Sequence, residues 1–153
     1  MEIRFRDAVR DDLPAIVAML ADDPLGATRE SGNDPFAPHY VTAFEAIERD
    51  HNQRLVVGED AQGVNAVCQI TLVPGLSRNG ATRALLESIR VASRCRGQGV
   101  GERLLCHALD LARASGAYIA QLTSDHSRGD AHRFYQKLGF EPSHVGFKMQ
   151  LQR

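Results

Sequence analysis

Runs of strict alternation and runs with a three-to-four-residue period divide the chain into strands and helices. Ile3 and Phe5 alternate with Arg4 and Arg6, which predicts a short first strand. Leu13, Ile16, Val17 and Leu20 then fall at i, i+3, i+4 and i+7. That spacing predicts a helix which Asp11 or Asp12 can cap and whose first turn accommodates Pro14, where a missing N–H costs little. Residues 22–38 interrupt the pattern with prolines, glycines and polar side chains, a long loop of the kind that often lies over a substrate. Val41, Ala43, Phe44 and Ile47 outline the inner face of a second helix. Leu55, Val56 and Val57 predict a strand ended by a turn at residues 59–63. The alternation that follows puts Val64, Ala66, Cys68, Ile70 and Leu72 on one side of a partner strand, so the two form a hairpin. After a connection at residues 74–80, residues 83–91 read as another strand, with Leu85, Glu87, Ile89 and Val91 sharing a face.

Helical periodicity returns with Val100, Leu104, Leu105, Ala108, Leu111 and Ala112, and Gly116 is the natural stop. Residues 118–122 are strand-like. Ala131, Phe134, Tyr135 and Leu138 mark a short helix ended by Gly139, and Phe140 with residues 145–151 supplies the last strand or strands. Strands and helices mix without strict alternation, which implies an α+β fold. No repeat, low-complexity stretch or linker breaks the chain, so residues 1–153 are expected to form one domain.

Composition narrows the possibilities. The 153 residues are 43% apolar and 24% charged, as in an ordinary globular protein large enough to bury a core. The start carries no apolar signal core and no stretch reaches membrane-spanning length, so a cytoplasmic protein without a membrane partner is expected. A net charge of −1 argues against a nucleic-acid partner. Cys68, Cys95 and Cys106 are an odd, unpaired set, and the six histidines lack ligand spacing, so neither a disulfide framework nor a metal is expected. Charge is unevenly distributed, however. Residues 22–50 hold seven acids against Arg29 and Arg49, whereas residues 94–113 hold Arg94, Arg96, Arg103 and Arg113 against Glu102 and Asp110. An acidic front suits a cationic substrate and a basic back suits an anionic cofactor; solvated helix faces are the commoner reason for such runs.

The segment richest in chemistry is residues 91–101, which passes from strand into helix through Arg96, Gly97, Gln98, Gly99, Val100 and Gly101. A helix start leaves backbone N–H groups unpaired, and glycines let a ligand come close to them. With the helix dipole, these features make a place for phosphate oxygens, to which Arg96 adds charge. Gly101 is followed by Glu102 and Arg103, not by the Lys-Ser/Thr of a nucleotide-hydrolysing loop. The Gly97-x-Gly99-x-Gly101 spacing also departs from the dinucleotide fingerprint.

Arg96, Gly99 and Gly101 match the Arg/Gln-x-x-Gly-x-Gly/Ala motif of the GNAT superfamily of N-acetyltransferases, which the chain resembles. The run from Asp130 through Tyr135 to Phe140 is similar to that family's second signature. The resemblance implies a mostly antiparallel central sheet flanked by helices, acetyl-CoA as cosubstrate, and direct acetyl transfer to a primary amine. The acceptor is expected to be a small, cationic amine, with a protein or peptide N-acetyltransferase or a non-catalytic CoA-binding module as the alternatives. Dimers are common in the family. In that fold two parallel strands splay apart and the pantetheine arm lies between them. Ile89, Arg90 and Val91 would then offer backbone groups to the arm, the Val91 N–H serving as oxyanion donor. Residues 96–101 would hold the diphosphate, and Phe134, Tyr135 and Lys137 would join the cofactor contacts. Arg128 stands where the family often has asparagine, and could meet a CoA phosphate.

Two side chains carry the implied proton chemistry. Tyr135 is either the general acid for the departing thiolate or a core tyrosine on the Phe134–Leu138 stripe; a phenol of ordinary pKa near 10 stays protonated and can donate. Glu87 is expected on an otherwise apolar strand face, partly desolvated, as the base that takes the ammonium proton, directly or through water; ion pairing with Arg83 or Arg90, or exposure on an open sheet face, is the other reading.

Overall fold

The computed structural model describes residues 2–152. Its elements run β1 Arg4–Asp7, α1 Leu13–Ala21, α2 Pro38–Arg49, β2 Gln53–Asp60, β3 Gly63–Val73, the single turn α3 Ser77–Gly80, β4 Arg83–Val91, α4 Val100–Ala114, β5 Ile119–Gln121 and α5 Gly129–Lys137. The strands form one sheet in the order β1-β2-β3-β4-β5, antiparallel through β4 and parallel between β4 and β5. This is the α+β architecture expected from the pattern.

Both faces of the sheet are covered. Val56, Ala66, Cys68, Ile70, Ala84 and Leu86 pack with Val100, Leu104, Leu105, Ala108 and Ala112 of α4. On the other side, Val57 and Val67 meet Ile16 and Met19 of α1. The capped amphipathic pattern of α4 therefore does what its spacing predicts, burying one stripe against the sheet. Its end is fixed by Gly116 at φ 82° and by the Ala117 N–H donating back to the Ala112 carbonyl, 3.0 Å.

Two strand readings are corrected by bulges. Gly58 pairs with Ala66 but Glu59 pairs with Val64, so Asn65 is an extra residue in β3. The alternation resets there, and Val64 packs with the Val57–Val67 cluster, not with Ala66. In β4, Val67 faces Arg90 while Gln69 faces Glu87, which leaves Cys68 opposite both Ser88 and Ile89. Ser88 takes a left-handed φ of 52°, at a cost of about 1–2 kcal/mol. Consequently Leu86, Ile89 and Val91 all pack toward α4. The expected shared face of Leu85, Glu87, Ile89 and Val91 does not exist, and Glu87 is exposed.

The end of the chain also differs from expectation. Residues 141–152 form no strand, and Val145, Phe147, Met149 and Leu151 are exposed in spite of their alternation. A period of two makes a strand only where a neighbouring strand supplies hydrogen bonds. Ala43 of α2 is exposed as well, so only Phe44 on that helix is fully buried, with Val41 and Ile47 part-covered.

Between β4 and β5 the sheet opens. The parallel ladder consists of Arg83–Ile119, Ala84–Ala120 and Leu85–Gln121, after which β4 continues to Val91 with no strand of the described residues on that edge.

Candidate active site

Two structures flank the opening: the glycine loop at the end of β4 and α5 across the gap. The Ala92 N–H donates to the Asn65 carbonyl, 2.8 Å, on the β3 side. Backbone groups alternate along a strand, so the N–H and C=O of Val91 and of Ile89 turn toward the open edge. Two guanidiniums use the carbonyls there. Arg90 Nη1 donates to its neighbour's Ile89 oxygen, 2.9 Å, and Arg96 Nε donates to the Val91 oxygen, 3.1 Å.

The loop itself is built from contiguous residues. Gly97 at φ 72° and Gly99 at φ 77° occupy left-handed conformations that a side chain would strain. The first intrahelical bond of α4 runs from the Arg103 N–H to the Gly99 carbonyl, 3.1 Å, leaving the N–H groups of Val100 and Gly101 pointing off the helix end. Val100 buries its side chain and can present only backbone. At Gly101 a Cβ would come 3.4 Å from the Phe134 ring and 3.6 Å from Val91, so this position sets how closely α4, α5 and β4 approach. Gln98 is exposed and ties back to the Arg94 carbonyl, 2.8 Å. Arg94 in turn grips Asp60 at 2.7 Å, and this contact, seconded by Asn65 at 2.9 Å, holds the Asp60 carboxyl well below the usual carboxylate range. The β2–β3 turn thus anchors the start of the loop.

Arg96, the cationic member of the motif, reaches Asp22 at the end of α1, with 2.8 Å to the carboxylate and 3.1 Å to the carbonyl. The next residue, Asp23, faces a different pair. Its Oδ1 accepts the Gly26 N–H at 2.6 Å, while its Oδ2 lies 3.0 Å from Arg128 Nη2 and 3.5 Å from Arg90 Nε. The Gly26 N–H, with Arg128 and Arg90 behind it, keeps the Asp23 carboxyl below its ordinary value. The two acids of the front loop nearest the gap are therefore already paired. Tyr40 pins the rest of that loop, its hydroxyl donating to Glu30 at 2.7 Å and accepting from the Ser31 N–H at 2.8 Å.

Tyr135 lies between these groups on α5, half-buried, with its ring 5.4 Å from Phe134 and 6.0 Å from Phe140. Its backbone is held by the helix end, where the Phe140 N–H returns to the Tyr135 carbonyl at 3.1 Å. Burial pushes the phenol above its usual value, and the charges of Arg90 and Arg128 pull it partly back. Its hydroxyl has no hydrogen-bond partner among the described residues. Lys137 is exposed in the last turn of α5. Cys68 is fully buried and its thiol is pushed up to about 12, which leaves it a packing residue.

The gap thus brings together Ile89, Arg90, Val91, Arg96, Phe134, Tyr135 and Arg128, as well as the glycine loop. Two participants were not legible in the sequence. Asp23 was one of many acids in an unpatterned loop, and Arg90 was placed for its backbone or as a partner of Glu87, not of Asp23. Neither has a spacing that signals its role.

A sheet opened between its two parallel strands, with a glycine-rich helix start at the mouth, is the geometry that the motifs imply. The family model described as Acetyltransferase (GNAT) family matches residues 14–140. The chain belongs to this GNAT family. It is accordingly an acetyltransferase that moves an acetyl group from acetyl-CoA to an amine. A solved structure described as a transcriptional regulator from Bacillus halodurans C-125 is 41% identical, with a TM-score of 0.94, covering 98% of this chain and 100% of that one. An uncharacterized N-acetyltransferase of Bacillus subtilis, YhdJ, is 30% identical over 66% of this chain and 70% of its own length. The aminoalkylphosphonate N-acetyltransferase of Salmonella typhimurium is 38% identical over 43% of this chain; the match spans 43% of that relative's length. No helix of the described residues is long and apolar enough to cross a membrane.

Proposed function

We propose that this GNAT protein acetylates the primary amine of a small molecule by direct attack on the acetyl thioester. The open edge of β4 carries the reading: beyond Leu85 it presents strand backbone that no described strand pairs with, its carbonyls at Ile89 and Val91 held only by the side chains of Arg90 and Arg96. The N–H groups at the start of α4 and Arg96 hold the diphosphate, with Asp22 giving way. The pantetheine arm lies along Ile89, Arg90 and Val91, and the Val91 N–H donates to the acetyl oxygen as charge develops on it. Holding the two reactants together supplies a large share of the rate.

The amine lone pair forms the C–N bond, a tetrahedral intermediate collapses, and the C–S bond breaks with its electrons on sulfur. Tyr135 donates its phenolic proton to that thiolate; a raised pKa keeps it protonated for the task. The ammonium proton leaves to water, with Glu87, exposed two residues before Ile89 on β4, as the candidate base that receives it through that water. The name of the Salmonella relative supports a small-molecule acceptor. The name of the Bacillus halodurans relative raises a transcriptional regulator as a second reading; a net charge of −1 does not favour a nucleic-acid partner. The test is a panel of amines assayed for CoA release, beside calorimetry of CoA binding. Release with at least one small amine is expected; a protein that ignores CoA at millimolar concentration sinks the proposal.

A further inference from the structure

The cluster of Asp23, Arg90 and Arg128 is not explained by holding acetyl-CoA. Arg90 comes from β4, Arg128 from the N-terminal edge of α5, and both converge on one oxygen of Asp23. Each arginine side chain is about three-quarters covered, at 24% and 29% exposure. The two guanidiniums are close enough for the Arg128 charge to oppose that of Arg90. Two partly desolvated cations held together need an anion between them. Asp23 fills that need incompletely. Its Oδ1 is committed to the Gly26 N–H, its Oδ2 serves Arg128, and the buried Arg90 Nε, 3.5 Å from that Oδ2, is left without a hydrogen bond among the described residues. The cluster therefore has more donors than the Asp23 carboxylate uses, and the other acids nearby, Glu30 and Asp125, act on Arg90 and Arg128 only through space, without a hydrogen bond to either side chain among the described residues. Both cations are near enough to draw the Tyr135 phenol back toward its ordinary value.

We propose that Arg90 and Arg128 bind an acidic group carried by the acceptor, so that the substrate is a small amine with a phosphonate, phosphate or carboxylate at its other end, and that Asp23 stands in for this group in the free protein. The proposal rests on the acetyltransferase reading above. Arg128, which the family resemblance offers to a CoA phosphate, here serves the acceptor. An oxyanion with two or three free oxygens can satisfy Arg128 and the idle Arg90 Nε together, which Asp23 does not. The cationic acceptor suggested by the acidic front loop is correspondingly disfavoured, because the acids nearest the gap are spent on arginines.

The experiment compares amines of similar length with saturating acetyl-CoA: 3-aminopropylphosphonate, 4-aminobutanoate, butylamine and 1,4-diaminobutane. The acidic amines are expected to exceed butylamine in kcat/KM by about 10- to 100-fold, the range for charge-assisted hydrogen bonds. Arg128→Gln should collapse that ratio, and whichever acid leads tells a tetrahedral from a planar oxyanion. A binding arm needs no turnover: methylphosphonate is titrated by calorimetry into protein saturated with CoA, which blocks the diphosphate cradle. Wild type should bind it, Arg128→Gln should lose it, and Asp23→Asn should bind it more tightly because the stand-in is gone. A cluster that merely braces the fold would leave Asp23→Asn no tighter. Preference for butylamine or the diamine, a ratio unmoved by Arg128→Gln, or no methylphosphonate binding in wild type overturns the proposal while leaving acetyl transfer intact. Absence of CoA binding overturns the acetyltransferase reading itself.

Discussion

Adjacent aspartates meet two different arginine environments, and the contrast separates the two ends of the site. Asp22 pairs with Arg96 at the surface, with 46% and 51% of the two side chains exposed. An ion pair that open is worth roughly 0–1 kcal/mol, so a diphosphate can displace Asp22 at little cost. Asp23 pairs one residue further on with Arg90 and Arg128, where all three side chains are largely covered and a buried donor is left over. The cofactor end is made mainly of backbone from one continuous stretch, with a single weakly held cation added. The proposed acceptor end is made of side chains from β4, α5 and the front loop. A backbone cradle suits a ligand common to a whole family, whereas a side-chain cluster can differ from member to member and set the acceptor.

The largest test of this division is Tyr135→Phe, which sits where the two ends meet. Removing a general acid should lower kcat by about 100-fold or more and leave acetyl-CoA binding nearly unchanged. Burial raises the Tyr135 pKa, so the phenol remains protonated up to and beyond pH ~10 and should cause no loss of kcat below that. Equal kcat in the variant, or a basic limb below pH ~9 that the variant abolishes, would contradict the assignment.

Arg96→Gln comes next. Losing one charge-assisted contact to phosphate should weaken CoA binding by about tenfold or more, read by calorimetry. It should leave the discrimination among amines alone. An altered amine preference with unchanged CoA affinity would erase the boundary between the two ends.

The smallest effect is expected from Asp22→Asn. Freeing Arg96 from a surface partner should tighten CoA binding by up to about fivefold. Weaker binding would mean that Asp22 positions Arg96 and does not compete for it.

How far the sequence carried depends on whether the relevant contacts are local. The α4 stripe, the β2–β3 hairpin and the glycine loop were readable because each is encoded within a dozen or so neighbouring residues by period, turn chemistry or motif. Glu87 was misplaced because the Ser88 bulge reverses the strand's alternation, and nothing about a serine announces a left-handed backbone. The tail at residues 145–151 has a strand's pattern and no strand, since alternation specifies a face and not a neighbour.

By itself, then, the sequence determined most of the elements, the glycine loop and the helix that carries Tyr135, all products of short-range geometry. Only the tertiary structure decided that β4 and β5 part after Leu85 and that Asp23 is brought to Arg90 and Arg128, more than a hundred residues along the chain in the last case. The physical reason is that a charge's partner is chosen by how the layers pack: the carboxylate, the guanidiniums and the phenol share one gap because the sheet opens there, and no spacing along the chain records that distance.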